Sequence, residues 1–129
     1  MSVMFDVLDL QDAVDALADR FRAMPQSRLL GAVEGHRSRA AAALALAREL
    51  AATAQLVEFG PAGPPREIPE AGAFAVGDQL AVAGHDLVAA LGPLEPQARI
   101  ATRDGAHRTA ADLLAEAVAA VGAVSVSCS

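Results

Sequence analysis

The sequence contains no lysine, no tryptophan and no tyrosine, and it has a single cysteine among its 129 residues. All ten basic residues are therefore arginine, which together with the abundant alanine, glycine, valine and proline indicates the composition of a GC-rich bacterial genome. The lone Cys128 excludes an intramolecular disulfide and a cysteine-only metal site, and its position beside the C-terminus predicts an incidental residue. Aromatic residues make up only 3% of the chain, which removes the usual anchors of a binding surface.

The chain also lacks a basic excess, since its net charge is −6 and its sequence pI about 4.9. Nucleic-acid binders normally carry a basic footprint, and anionic membranes attract basic segments, so we expect neither partner. The first fifteen residues are acidic and lack the basic start of a secretory signal. No apolar run approaches the roughly 20 residues that cross a bilayer. These features predict a cytoplasmic protein.

Apolar residues follow alternating four- and three-residue steps, which is typical of helices packed along their length. The longest such pattern runs from residue 29 to 57 and contains no proline. Most of its members are alanine, so a partner helix can approach closely. We name this pattern the alanine seam; it consists of Leu29, Val33, His36, Ala40, Ala43, Ala47, Leu50, Ala54 and Val57.

Breaks at Pro25, in the proline-rich loop 60–69 and at 92–96 divide the chain into four helical segments. The sequence predicts one domain, 1–129, with helices over about 3–24, 28–58, 70–91 and 104–121. The predicted fold is all-α: an antiparallel four-helix bundle with a long Ala-rich second helix and a Pro-rich loop between helices two and three, lying over one end of the bundle. The core stripe of the fourth helix is predicted to be Ala111, Leu114, Val118 and Val121.

Some segments allow two interpretations. Gly31 and Gly35 indicate either close packing or local weakness within helix two. A ridge of small residues on helix three (Ala73, Gly77, Ala81, Gly84) fits either the alanine seam or a ligand. Residues 97–102 form either a helical turn or an extended piece, and 124–128 alternate like a strand or continue irregularly.

The three histidines fall on three predicted helices: His36 on the alanine seam, His85 beside Asp86, and His107 at the start of helix four. Helical bundles build metal sites from inward side chains, and three histidines with an open position suit zinc. Against this site, no two histidines have a spacing of three or four, and no His-Glu-x-x-His motif occurs. A seam histidine is more often a hydrogen-bonded core residue.

Asp78, Gln79, His85 and Asp86 form a candidate polar patch, the one clustered titratable set that includes a histidine. Phosphate-binding and serine-nucleophile motifs are absent from the sequence, and no cofactor is indicated. We therefore expect a small soluble interaction module without catalytic activity, which binds a protein partner or itself and forms a homodimer. The alternative is a bundle that binds a metal or small molecule through His36, His85 and His107.

Overall fold

The computed structural model describes residues 6–63 and 66–129, and most of them are helical. This agrees with the predicted all-α class, and in these two ranges the one sheet is a two-stranded hairpin. The elements are α1 (Leu8–Ala23), α2 (Gln26–Leu29), α3 (Arg39–Phe59), a 3-10 turn (Ala73–Ala75), α4 (Val76–Leu91), β1 (Arg99–Ala101), β2 (His107–Thr109) and α5 (Ala110–Ser127). Residues 3–5 of the predicted first helix and 64–65 of the proline-rich loop lie outside the described ranges.

The apolar residues that recur in four- and three-residue steps along the first three predicted helices enter one shared core where the structure describes them. In the alanine seam the exception is His36, which is exposed, whereas Leu29 is fully buried and Val33 packs against the core. Burying a leucine side chain stabilises a fold by roughly 1.5–3 kcal/mol, so the large core residues supply most of the apolar stabilisation. The core members with the least exposure include Leu10, Val14, Leu17 and Phe21 of α1, Ala43, Ala47 and Leu50 of α3, and Leu80, Leu87 and Leu91 of α4.

The sequence predicts one helix from about residue 28 to 58, but in the structure a loop separates the short α2 from α3. Within that loop Gly35 has a φ of +83°, which a right-handed helix cannot contain, and the backbones of Val33 and His36 pair across the turn. Ser38 then adopts an extended backbone, and its hydroxyl oxygen accepts the Ala41 N–H at 3.0 Å. The break follows from a glycine turn and a serine N-cap, two strong local signals.

From Arg66 onward the proline-rich loop lies along α3 and not over its end, which corrects the prediction. Gln55 exchanges two hydrogen bonds with the backbone of Arg66, and Arg48 donates to the carbonyl of Ile68 at 2.9 Å. Residues 66–72 thus run back toward the start of α3; we name this segment the strap. An extended chain advances about 3.3 Å per residue and a helix about 1.5 Å, so seven extended residues cover about the length of fifteen helical ones.

Because the strap returns, α4 begins beside the first half of α3, where Val76 lines the same cavity as Leu44. At the other end, Arg103 of the hairpin reaches the carbonyl of Gly63, just beyond α3. Helices α3 and α4 therefore run in the same direction, and the antiparallel prediction is wrong for this pair. In contrast, α1 runs opposite to α4, since Asp15 contacts His85 and Arg22 contacts Asp78.

The small-residue ridge of α4 was expected to fit the alanine seam of α3, but its two glycines face α1 instead. A Cβ atom at Gly77 would lie 3.0 Å from the carbonyl oxygen of Ala18, and one at Gly84 would lie 2.8 Å from Cγ2 of Val14. The distance at Gly84 is shorter than real Cβ contacts and the one at Gly77 is tighter than most of them, so the close approach of α1 favours glycine at both positions and most strongly at Gly84. Helix α4 thus packs between α1 and α3.

The predicted fourth helix starts later than residue 104, because the preceding residues form a hairpin. Strand β1 pairs with β2 through Ile100 and Arg108, and Gly105 supplies a φ of +86° in the connecting turn. Thr109 then caps α5, since its hydroxyl accepts the Asp112 N–H and the Asp112 carboxylate accepts the Thr109 N–H. His107, predicted at the start of a helix, therefore lies on β2.

Helix α5 also differs in register and in length from the prediction. Its buried residues are Ala110, Leu113, Ala117 and Val121. Val121 is therefore confirmed as a core residue, whereas the other three predicted positions are each replaced in the core by the residue before them. The helix continues through Ser127, and residues 124–127 are helical although their sequence alternates like a strand. The hydrogen bonds of α5 satisfy the backbone groups of this short alternation.

Candidate functional site

The three histidines occupy three separate elements, and all three side chains are exposed. His36 lies in the loop before α3, His107 lies on β2, and His85 lies on α4 with its Nε2 atom 2.6 Å from Oδ1 of Asp15. In the ranges that the structure describes, no three His, Cys, Asp or Glu side chains lie close enough to hold a metal ion. The structure therefore does not bring His36, His85 and His107 together.

The candidate polar patch on α4 divides between two neighbours. Asp78 and His85 both face α1, where they contact Arg22 and Asp15. Arg22 Nε donates to Asp78 at 2.8 Å, and this hydrogen bond, with a smaller contribution from Asp19, raises the pKa of Arg22 above its ordinary value. These contacts link two helices, which is a structural role.

The other two residues of the patch lie one face further round α4. Gln79 Nε2 donates to the carbonyl of Pro69 at 2.9 Å and so holds the strap, while its Oε1 atom is buried without a hydrogen-bond partner. Asp86 is exposed. The four residues therefore do not form one site.

A cavity of about 400 Å³ lies between the first half of α3 and the strap. Ligand sites in proteins usually enclose about 300–1,000 Å³, so this cavity is large enough for a small molecule. Most of its walls are alanine and aliphatic side chains, and its polar members are two arginines, a glutamate and a serine. The lining residues are Leu30, Arg37, Ser38, Ala40, Ala41, Leu44, Ala45, Arg48, Glu70, Gly72, Ala73 and Val76.

The two arginines of the cavity differ in how they are held. Arg48 is half-buried; its Nε atom donates to the Ile68 carbonyl at 2.9 Å and lies 3.3 Å from Glu67 Oε1. Arg37 is exposed and makes no side-chain hydrogen bond or ion pair with the described part of the chain. The hydroxyl oxygen of Ser38 caps α3 and is not paired with a base. The cavity therefore presents two guanidinium groups of the kind that bind anions.

The outward face of α5 is the second candidate region. Ala115, Ala119, Gly122 and Val126 follow a four–three–four spacing on the side opposite the core, and all four are exposed. Val126 exposes 77% of its surface, and no atom lies within 4 Å of the position that a Cβ at Gly122 would occupy. We name these four residues the outer seam. The spacing was readable in the sequence, but the stripe of Ala111, Leu114, Val118 and Val121 follows a similar period and was predicted as the core face instead.

Among the described residues, two helices are long and apolar enough to cross a membrane by length and composition, which corrects the expectation that no apolar stretch approaches this length. One is α3, which supplies much of the core. The other is α5, whose 18 residues have a mean hydropathy of 1.6 but of which only 22% are buried. Helix α5 thus combines high hydropathy with low burial, and that combination marks its outer seam as an apolar surface to which the described part of the chain supplies no partner.

Two further polar features belong to local structure. The hydrogen bond from the Thr102 hydroxyl, followed by that from the Ala106 N–H, lowers the pKa of Asp104 below its ordinary value and fixes the hairpin turn. Cys128, expected to be an incidental terminal residue, is fully buried at the end of α5 and packs into the core.

Comparisons with known proteins give no family resemblance from which a function could be carried over. No protein-family model, no curated protein and no solved structure matches this chain.

Proposed function

We propose that the chain is a four-helix bundle that acts as a self-associating interaction module and forms a homodimer through the outer seam of α5. The observation that carries this proposal is an apolar, small-residue helix face that residues 6–63 and 66–129 leave uncovered. Uncovered apolar surfaces of this kind are typical of interaction sites. The proposal includes no catalytic activity.

The charge distribution favours a second copy of the chain as the occupant of the outer seam. No charged residue occurs from Ala117 to Ser129, whereas the whole chain carries a net charge of −6. Two copies whose α5 helices meet antiparallel through this region bring no like-charged side chains into direct contact, because Asp112 and Glu116 of the two copies then lie at opposite ends of the contact. A twofold interface uses the same patch on both subunits, so one self-complementary face is sufficient.

The shape of the outer seam permits close packing of two α5 helices. Alanine and glycine at the contact allow interaxial distances near 8 Å, the short end of the range for packed helices. The 18 residues of α5 extend about 27 Å. A stable dimer buries about 800 Å² on each partner, which is more than one helix face supplies. We therefore expect a weak dimer that dissociates on dilution.

A lipid surface is the second conceivable partner of the outer seam, but the charged residues of α5 argue against a lipid partner. Amphipathic helices that lie on membranes usually carry Lys or Arg on the polar face, and α5 contains neither. Its two charged residues, Asp112 and Glu116, are both acidic and lie in its first two turns. An acidic rim repels anionic lipid headgroups.

The test is sedimentation equilibrium of the wild type and of Gly122→Arg across a concentration series from low micromolar to submillimolar. Open space surrounds Gly122, and arginine has a better helix propensity than glycine, so the folded monomer tolerates the change. We expect a concentration-dependent dimer for the wild type and a monomer for Gly122→Arg. The matched control is Ala89→Arg, which adds the same charge at an exposed position of α4 and leaves the dimer intact.

Two results would overturn the proposal: a wild type that stays monomeric throughout the series, or a Gly122→Arg variant that dimerises like the wild type. Flotation with vesicles of zwitterionic and anionic lipid tests whether the outer seam binds a lipid surface. Comigration of the wild type with vesicles, lost in Gly122→Arg while no dimer forms in solution, would assign the outer seam to lipid and so refute the homodimer.

A further inference from the structure

We infer that the cavity between α3 and the strap binds a small organic carboxylate with an apolar body. This site is separate from the outer seam of α5, and the inference does not depend on self-association. Like the alternative predicted from the sequence, this site would bind a small molecule, but none of the three histidines lines the cavity.

The walls of the cavity fit an unbranched apolar body. Ala41, Leu44, Ala45 and Val76 supply apolar side chains along its length, and the alanines leave the space that larger residues would fill. Leu30 also lines the cavity although 56% of its surface is exposed. A ligand seated there would remove part of this apolar surface from water, which is a favourable change of roughly 25 cal/mol per Å².

The polar groups of the cavity fit a single carboxylate. Arg48 is positioned in advance, because the Ile68 carbonyl and the Glu67 carboxylate engage its Nε atom, while its two terminal nitrogens make no hydrogen bond within the described residues. Arg37 brings a second guanidinium group to the same cavity without a partner of its own there. A guanidinium group binds a carboxylate through two parallel hydrogen bonds, so these donors suit that head group.

Glu70 narrows the choice of ligand further. It is the one acidic residue among the lining residues, so the two arginines and this glutamate leave a lining charge of +1. A monoanion neutralises that charge, whereas a dianion such as a phosphate monoester would be repelled by Glu70. Glu67 lies outside the lining and offsets part of the charge of Arg48, which leaves Arg37 as the principal free cation.

The experiment is isothermal titration calorimetry with octanoate as the probe, beside octan-1-ol and octyl phosphate. We expect saturable binding of one octanoate per chain, and binding at least about tenfold weaker for the neutral alcohol, which lacks charge-assisted hydrogen bonds. Octyl phosphate is expected to bind more weakly than octanoate because of Glu70. Equal affinity for octanoate and octan-1-ol would overturn the inference.

Two variants locate the site. Arg37→Gln removes an exposed side chain without a partner among the described residues, and we expect it to weaken octanoate binding about tenfold while binding of octan-1-ol stays unchanged. Ala45→Phe fills the cavity from an exposed position and is expected to abolish binding. Arg99→Gln on β1 is the matched control, since it removes the same charge from an exposed site away from the cavity. Undiminished octanoate binding by both cavity variants, or no octanoate binding by the wild type, refutes the site.

Discussion

Two glycines, Gly84 and Gly122, have opposite relations to their surroundings although both lie inside helices. A Cβ at Gly84 would collide with Val14, a fully buried β-branched residue that has no room to move. We expect Gly84→Ala to lower the free energy of unfolding by about 1–3 kcal/mol, as overpacked cores do. Gly122→Ala meets open space and is expected to raise it by up to about 1 kcal/mol through helix propensity. Urea unfolding of both variants measures the difference.

The pair of variants separates crowding from helix propensity. If propensity alone governed these positions, both substitutions would be stabilising, and that result would contradict the close approach of α1 to α4. The double variant Val14→Ala, Gly84→Ala gives a further check. Trimming Val14 makes space for the new methyl group, so the cost of Gly84→Ala should shrink in that background and leave a measurable coupling energy.

His36 shows how far a residue can be placed from its spacing alone. It fits the four–three pattern of the alanine seam, and on that basis it was predicted to face the bundle interior. Its side chain is exposed, because Gly35 beside it turns the backbone out of the helical conformation. From Ala40 onward the same pattern is confirmed, since Ala43, Ala47 and Leu50 are buried. Periodicity identified the core face only where no glycine turn interrupts the helix.

Among the elements, α3 begins at a side-chain cap, Ser38. Ser38 is buried, and its hydroxyl oxygen satisfies the N–H of Ala41 in a first turn that has no acidic residue. We expect Ser38→Ala to lower the free energy of unfolding by about 1 kcal/mol, whereas Ser38→Gly lowers it by only a few tenths. Chemical denaturation followed by circular dichroism tests this order. A larger loss for glycine than for alanine would show that the cap hydrogen bond is not what sets the start of α3.

The composition of α5 explains why the sequence did not predict which face of this helix turns toward the core. Nearly every residue from 113 to 126 is apolar or small, so several stripes with the same period are available to face the core. The structure buries Leu113 and Ala117 in place of Leu114 and Val118, which are only partly buried. With little polar contrast around the helix, the rotation is set by packing against α1 and α3, which the sequence of α5 alone does not encode.

At the scale of the whole molecule, the helical class was predictable but the direction of the helices was not. Prolines and glycines marked the breaks after α1, α3 and α4 correctly. The strap, however, could pass over the end of α3 or return along it, and the side chains of Gln55, Arg48 and Gln79, which bind its backbone, select the second path. The cavity exists because of that path, since Glu70 and Gly72 close it from the side of the strap. Its residues therefore could not be grouped from sequence spacing.

The two proposed associations of the molecule should respond to salt in opposite directions. Each copy carries a net charge of −6, and the outer seam is uncharged, so long-range repulsion opposes the dimer without any ion pair to support it. Sodium chloride raised from about 0.01 M to about 1 M shortens the Debye length from about 30 Å to about 3 Å. We expect the dimer to become several-fold tighter across that range. Octanoate binding should become several-fold weaker, because the attraction of Arg37 and Arg48 for the carboxylate is screened. Sedimentation and calorimetry at matched salt concentrations measure the two constants, and changes in the same direction would mean that charge does not govern them as proposed.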